Sequence, residues 1–179
     1  MKPPTMYMIA LLIALGLVIG HGLAKTTGKP AKPLTIAKWV KAGPVNLSDG
    51  KGKNVYLIEF FATWCPPCRE SIPHLTALQK KYKDQGLVVV GVSDEAPEDV
   101  KAFVKAQGDQ MDYAVAVDRD DKTTKDYMIA YGLNTIPTAF LIDRNGAIAW
   151  YGYPLDEGME TVLAKLLKTP KTGTEKPAL

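Results

Sequence analysis

The chain has 179 residues, 46% of them hydrophobic and 23% charged, an ordinary globular composition long enough for one domain with a proper core. Its net charge is only +3, with lysines scattered among acids, so no phosphate-tracking surface and no nucleic acid partner is expected. Two cysteines, Cys65 and Cys68, are too few for a disulfide-stapled fold.

The amino terminus stands apart. Lys2 precedes an uncharged run over residues 6–20, MYMIALLIALGLVIG, and then HGLA, with Gly22 and Ala24 at the small-residue positions of a cleavage site. Residues 1–24 therefore read as a signal peptide cut after Ala24, or as a retained N-terminal membrane anchor. The run is short against the ~20 residues of a spanning helix. A lipid anchor on cysteine is excluded, because the leader contains none. Either reading makes the chain extracytoplasmic, in the periplasm, with membrane contact only through this segment, and exposes the cysteines to a compartment where disulfides persist.

Residues 25–35 begin KTTGKPAKP, lack an apolar period and read as a linker, which puts the domain at 36–168 and a polar tail at 169–179. A first strand is expected within 33–40, then a turn-rich stretch over 43–54 and the strand VYLIEFF over 55–61. Helical spacing of Ile72, Leu75, Leu78 and Tyr82 follows over 66–82. LVVVGVS (87–93) is a continuous β-branched run suited to a parallel strand buried on both faces. Next come a helix over 97–106 with Pro97 in its first turn, a strand over 113–117, and a helix over 120–132 stopped by Gly132. Two strands in 138–152 flank an Asn-Gly turn, and an amphipathic helix over 158–168 closes the domain. This order predicts an α/β fold, a mixed central sheet with parallel βαβ units, a terminal antiparallel hairpin and helices on both faces.

WCPPC falls where strand 55–61 hands over to a helix, so Cys65 lies at the helix N-terminus and Cys68 about one turn in. Free N–H groups and the positive end of the helix dipole favour thiolate there, which predicts Cys65 as nucleophile and Cys68 as resolving thiol. Pro66 and Pro67 fix the first turn and supply no N–H, leaving Cys68 and Arg69 as the nearest backbone donors to the Cys65 sulfur. Other uses of the pair lack partners. Haem attachment needs His where Arg69 stands, structural zinc needs more ligands than His74 adds, and a peroxidatic P-x-x-x-T-x-x-C meets Ile58 and Ala62 instead. Glu59 is an unexpected carboxylate in a run this apolar. On a strand packed on both faces it shares a side with Val55, Leu57 and Phe61, and desolvation should raise its pKa.

The segment EFFATWCPPCRESIP resembles the active site of the thioredoxin superfamily, and DEAPEDVKAFVK with TIPTAFLIDRNGAI is similar to its TlpA/ResA-like branch, over roughly residues 36–168. The resemblance implies a thioredoxin-like fold and thiol-disulfide oxidoreductase activity with no dissociable cofactor. It implies further that Glu59 lies under Cys68 and can accept its proton, that Pro73 kinks the helix, and that Ile136-Pro137 is a cis bond beside the nucleophile. Trp64, Pro66, Pro67, Ile136 and Pro137 are then the substrate-binding residues. Protein disulfides are the implied substrates, a membrane electron-transfer protein the reductant, and cytochrome maturation one setting. One departure stands out: members of the branch often carry Glu three residues after the second cysteine, where this chain has Ser71. The competing reading is a copper carrier that uses the same two cysteines with His74 or a methionine.

Overall fold

The computed structural model describes residues 28–171; the leader, the first residues of the predicted linker and most of the tail lie outside the described residues. Six strands, β1 (Ile36–Lys41), β2 (Val55–Phe60), β3 (Leu87–Ser93), β4 (Ala114–Asp118), β5 (Thr138–Ile142) and β6 (Ile148–Gly152), form one mixed sheet in the order β1-β4-β3-β2-β5-β6. β2, β3 and β4 run parallel, while β1, β5 and β6 pair antiparallel with their neighbours. Every residue of β2 is buried, which explains why its sequence lacks a polar face.

The helices are α1 (Pro66–Tyr82), α2 (Pro97–Gln107), α3 (Lys122–Tyr127) and α4 (Glu157–Lys168). Successive right-handed crossovers from β2 to β3 to β4 carry α1 and α2 to the same face. There Ile72, Leu75 and Leu78 of α1, Val100 and Phe103 of α2, and Met159 and Leu163 of α4 pack on Val55, Leu57, Val89 and Leu141. The other face is covered by α3 and irregular chain, and there Tyr127 and Tyr131, with Tyr151 of β6, surround Phe140 with ring centroids 5.2–5.6 Å apart. Alternation along β2 sends Tyr56, Ile58 and Phe60 to this aromatic side and leaves Glu59 facing α1.

Two stretches differ from the sequence pattern. The helix expected over 120–132 is one short helix, α3, followed by a 3-10 turn at Ile129–Tyr131 that closes at Gly132 with φ +69°. Its start is set by Asp118, whose carboxylate accepts the Thr123 and Thr124 amides at 2.9 and 2.7 Å. Part of the stretch read as a linker is bound to the domain: Gly28 N donates to Ile148 O, Ala31 N donates to Gly146 O, and Tyr127 Oη donates to Lys32 O at 2.6 Å. Between β5 and β6, Asp143 Oδ1 accepts the amides of Asn145 and Ala147, and Gly146 takes φ +83°. Beside it, Arg144 is 5% exposed and donates to the carbonyls of Lys53, Gln85, Leu166 and Leu167. This guanidinium ties the start of β2 to the end of α4.

Candidate active site

β2 ends at Phe60, and the chain turns through Ala62, whose carbonyl accepts the Cys65 amide at 3.2 Å. Cys65 is the N-cap of α1 in extended conformation (φ −85°, ψ 108°), and Pro66 and Pro67 open the helix without N–H groups to satisfy. The Cys65 sulfur accepts the Cys68 amide at 3.3 Å. The Arg69 amide, expected as a second donor, bonds the Cys65 carbonyl at 3.3 Å instead, because α1 is already regular at that point. The cysteines are joined in a disulfide with Cα atoms 5.3 Å apart. Cys68 is 0% exposed and Cys65 3%, beside a Trp64 that is 69% exposed. What exposure the pair has is on Cys65.

The turn before Cys65 is held from two directions. Thr63 donates its amide and hydroxyl to the Glu95 carboxylate at 2.6 and 2.7 Å, and Ser93 donates to the same carboxylate at 3.0 Å. Arg69 donates twice to the Thr63 carbonyl, at 3.1 and 2.7 Å, with its guanidinium 5.4 Å from the Phe103 ring centroid. Such pairing fixes Thr63 on both sides of its peptide.

Glu59 is completely buried, and its room comes from its neighbours in register, Gly91 on β3 and Ala139 on β5. A Cβ on Gly91 would come within 3.2 Å of the Phe61 ring and 3.3 Å of the Tyr113 ring. Two hydroxyls donate to the carboxylate: Ser71 Oγ to Oε1, and Tyr113 Oη to Oε2 at 3.3 Å. Burial raises the Glu59 pKa from 4.5 to about 7, against the opposing pull of the Ser71 and Tyr113 hydrogen bonds. Tyr113 stays protonated, since burial and the adjacent Glu59 push its pKa well above the ordinary value. Both of these partners are side-chain hydroxyls.

The Ile136–Pro137 bond is cis, and β5 begins directly after it with Thr138 opposite Phe60 of β2. This loop and the CPPC turn therefore share one end of the sheet. Ile136 and Trp64 both line a cavity of about 100 Å³ with Phe60, Phe61, Val92 and Met128. His74 lies on α1 with Nε2 3.5 Å from Glu160 of α4, and no group of three or more His, Cys, Asp or Glu residues gathers for a metal among the described residues.

A sheet with parallel β2 and β3, a disulfide at the N-terminus of the intervening helix and a cis-proline loop beside it can exchange disulfides with a partner thiol pair. The AhpC/TSA family model matches residues 27–151. The chain belongs to the AhpC/TSA family. Within that family it is similar to the thiol-disulfide oxidoreductase ResA of Bacillus anthracis, 34% identical over 142 residues that cover 78% of each chain. ResA of Geobacillus thermodenitrificans is 31% identical over 150 residues, 80% of this chain and 82% of its own. A DsbE-type thiol:disulfide interchange protein from Chlorobium tepidum, known from its crystal structure, shares 34% identity with a TM-score of 0.66 over 78% of this chain and 96% of its own. This AhpC/TSA protein is a thiol-disulfide oxidoreductase with a thioredoxin-like fold.

The structure brings Glu59, Trp64, Cys65, Pro66, Pro67, Cys68, Ile136 and Pro137 to one end of the sheet. Sequence reasoning passed over Tyr113 and Glu95, and assigned no role to Ser71. Tyr113 lies 54 residues from Glu59 and Glu95 32 from Thr63, so no local pattern could announce either contact. Ser71 carried a signal, one turn beyond Cys68 on the same side of α1.

Proposed function

We propose that the protein reduces disulfides of exported proteins outside the cytoplasm, through a thioredoxin-like domain at 36–168 preceded by a leader or anchor at 1–24. The uncharged run after Lys2 supports export, and among the described residues no helix is long and apolar enough to cross a membrane. The observation that carries the reading is the position of Cys65 at the N-cap of α1, sulfur bonded to the Cys68 amide, with Cys68 sealed beneath it.

In the reduced chain, Cys65 thiolate attacks one sulfur of a substrate disulfide, forming a mixed disulfide and releasing the other substrate sulfur as thiolate. Cys68 then loses its proton to Glu59 and attacks the Cys65 sulfur; the 65–68 disulfide forms and the second substrate sulfur leaves. Two electrons have passed to the substrate. A dithiol on a membrane electron-transfer protein returns them, and cytochrome maturation is one setting for the substrate. Trp64, Pro66, Pro67, Ile136 and Pro137 border the path of the incoming chain, which pairs with the Ile136 backbone as an extended strand.

The test is a pair of traps. Cys68→Ser accumulates substrate proteins as mixed disulfides on Cys65, and Cys65→Ser accumulates almost none. Equal trapping by the two variants, read on non-reducing gels, would reverse or remove the assignment of nucleophile and resolver.

A further inference from the structure

Ser71 Oγ lies within hydrogen-bond range of two acceptors: Glu59 Oε1, and the Cys68 carbonyl at 2.8 Å. A hydroxyl has one hydrogen, so it can serve only one of them at a time. Which one it serves depends on Glu59. An ionised carboxylate accepts that hydrogen strongly, whereas a carboxyl protonated on Oε1 must itself donate, and Ser71 Oγ has lone pairs to receive it. The serine hydrogen then turns to the Cys68 carbonyl, a backward contact to position i−3 that serines make readily in helices.

Tyr113 offers no such choice. Among the described residues its hydroxyl has one acceptor, Oε2, so a proton on that oxygen would strand the tyrosine hydrogen in the core. From β3 and β5 the residues opposite Glu59 are Gly91 and Ala139, which carry no charge, and α1 contributes Ser71 and Cys68. The Phe61 ring lies beside Gly91 and packs against Phe103 with centroids 6.1 Å apart. The arrangement leaves no buried side-chain nitrogen or oxygen without a partner among the described residues.

We propose that Ser71 is a positioning residue that passes its hydroxyl hydrogen between Glu59 and the Cys68 carbonyl as Glu59 loses or gains a proton on Oε1. The same hydroxyl thus supports both charge states of the carboxyl without orphaning a polar group, and it links that charge state to the first turn of α1 at Cys68. The use of this device in the reaction rests on the reading of Glu59 as proton acceptor; the device itself does not.

The experiment is carbon-13 NMR of the full chain in the disulfide form, where the cysteines do not titrate, with Glu59→Gln to assign the Glu59 carboxyl signal. In the parent, the Cys68 carbonyl signal moves with the same midpoint as the Glu59 carboxyl. In Ser71→Ala the Glu59 midpoint rises by roughly one pH unit or more, because the charged form has lost a donor, and the Cys68 carbonyl no longer follows it. Ser71→Thr keeps the hydroxyl and restores both behaviours. A Glu59 midpoint unmoved in Ser71→Ala, or a parent Cys68 carbonyl indifferent to the Glu59 titration, overturns the proposal. The pH profile of mixed-disulfide resolution, measured on the same reduced variants, separates the two claims: a shifted NMR midpoint with an unshifted rate profile retains the role of Ser71 and rejects Glu59 as the proton acceptor.

Discussion

Two buried ionisable side chains, Glu59 and Arg144, sit at opposite ends of the same sheet, and the protein treats them differently. Arg144 meets four carbonyl oxygens drawn from three separate segments. Glu59 meets two hydroxyls, each weaker than the backbone N–H or guanidinium donors that usually hold a carboxylate charged. Burial lowers the Arg144 pKa from a value so high that the group remains a cation, while it brings Glu59 to about 7, where proton exchange is easy. Matched hydrogen-bond partners make a buried charge a fastener; undersupplied ones leave it able to exchange a proton.

The largest effect expected from this contrast is at the fastener. Arg144→Ala strands carbonyls from three segments and should destabilise the domain by roughly 3–5 kcal/mol, seen as a lower denaturant midpoint. The pH profile of the remaining folded enzyme should not move. A loss confined to activity, with stability intact, would break the comparison.

Glu59→Gln should act in the opposite sense, and only where Glu59 is ionised. Its folded pKa, about 7, lies above the ordinary 4.5 of the unfolded chain, so the parent binds more protons folded than unfolded between these values and loses stability as pH rises through that window. The full cost is about 3 kcal/mol above pH 7 and vanishes below about pH 4.5. The variant should therefore gain on the parent at pH 8 and not at pH 4.5, while resolving mixed disulfides more slowly. Parallel stability curves for parent and variant from pH 4.5 to 8 would show that the carboxyl carries no such penalty.

The smallest effect concerns the space around Glu59. Gly91→Ala places a methyl 3.2–3.3 Å from the Phe61 and Tyr113 rings, so it should cost about 1–3 kcal/mol and weaken the Tyr113 bond to Oε2. A raised Glu59 midpoint accompanying that loss would tie the glycine to the site; an unchanged midpoint would make it packing alone.

Much of the site was legible because it is local. The strand, the CPPC turn and the helix that follows are contiguous from 55 to 82, so periodicity and helix-start chemistry place Cys65 and Cys68 at the start of α1, while the place of Glu59 under Cys68 was legible only through the family resemblance. The mixed sheet with parallel βαβ units and a terminal hairpin also followed from the order of the elements, whereas the strand order β1-β4-β3-β2-β5-β6 did not. Tyr113 and Glu95 were illegible, since each reaches its partner across strands and looks in sequence like any strand-end tyrosine or loop acid. The break after α3 was equally hidden, because the apolar residues from Tyr127 to Leu133 fit a continued helix until tertiary packing against Phe140 decides otherwise.

The strip of chain from Gly28 to Ala31 is stitched to the β5–β6 turn, where Ile142 pairs with Tyr56 near the start of β2, whereas the cysteines follow the far end of that strand. Two poles result, separated by a strand of six residues or about 20 Å. The strip from Gly28 to Ala31 lies at one pole, and the Cys65–Cys68 disulfide lies at the other. A surface that covers the Gly28 pole would therefore leave the disulfide pole uncovered, like the pins of a plug facing away from the hand that holds it.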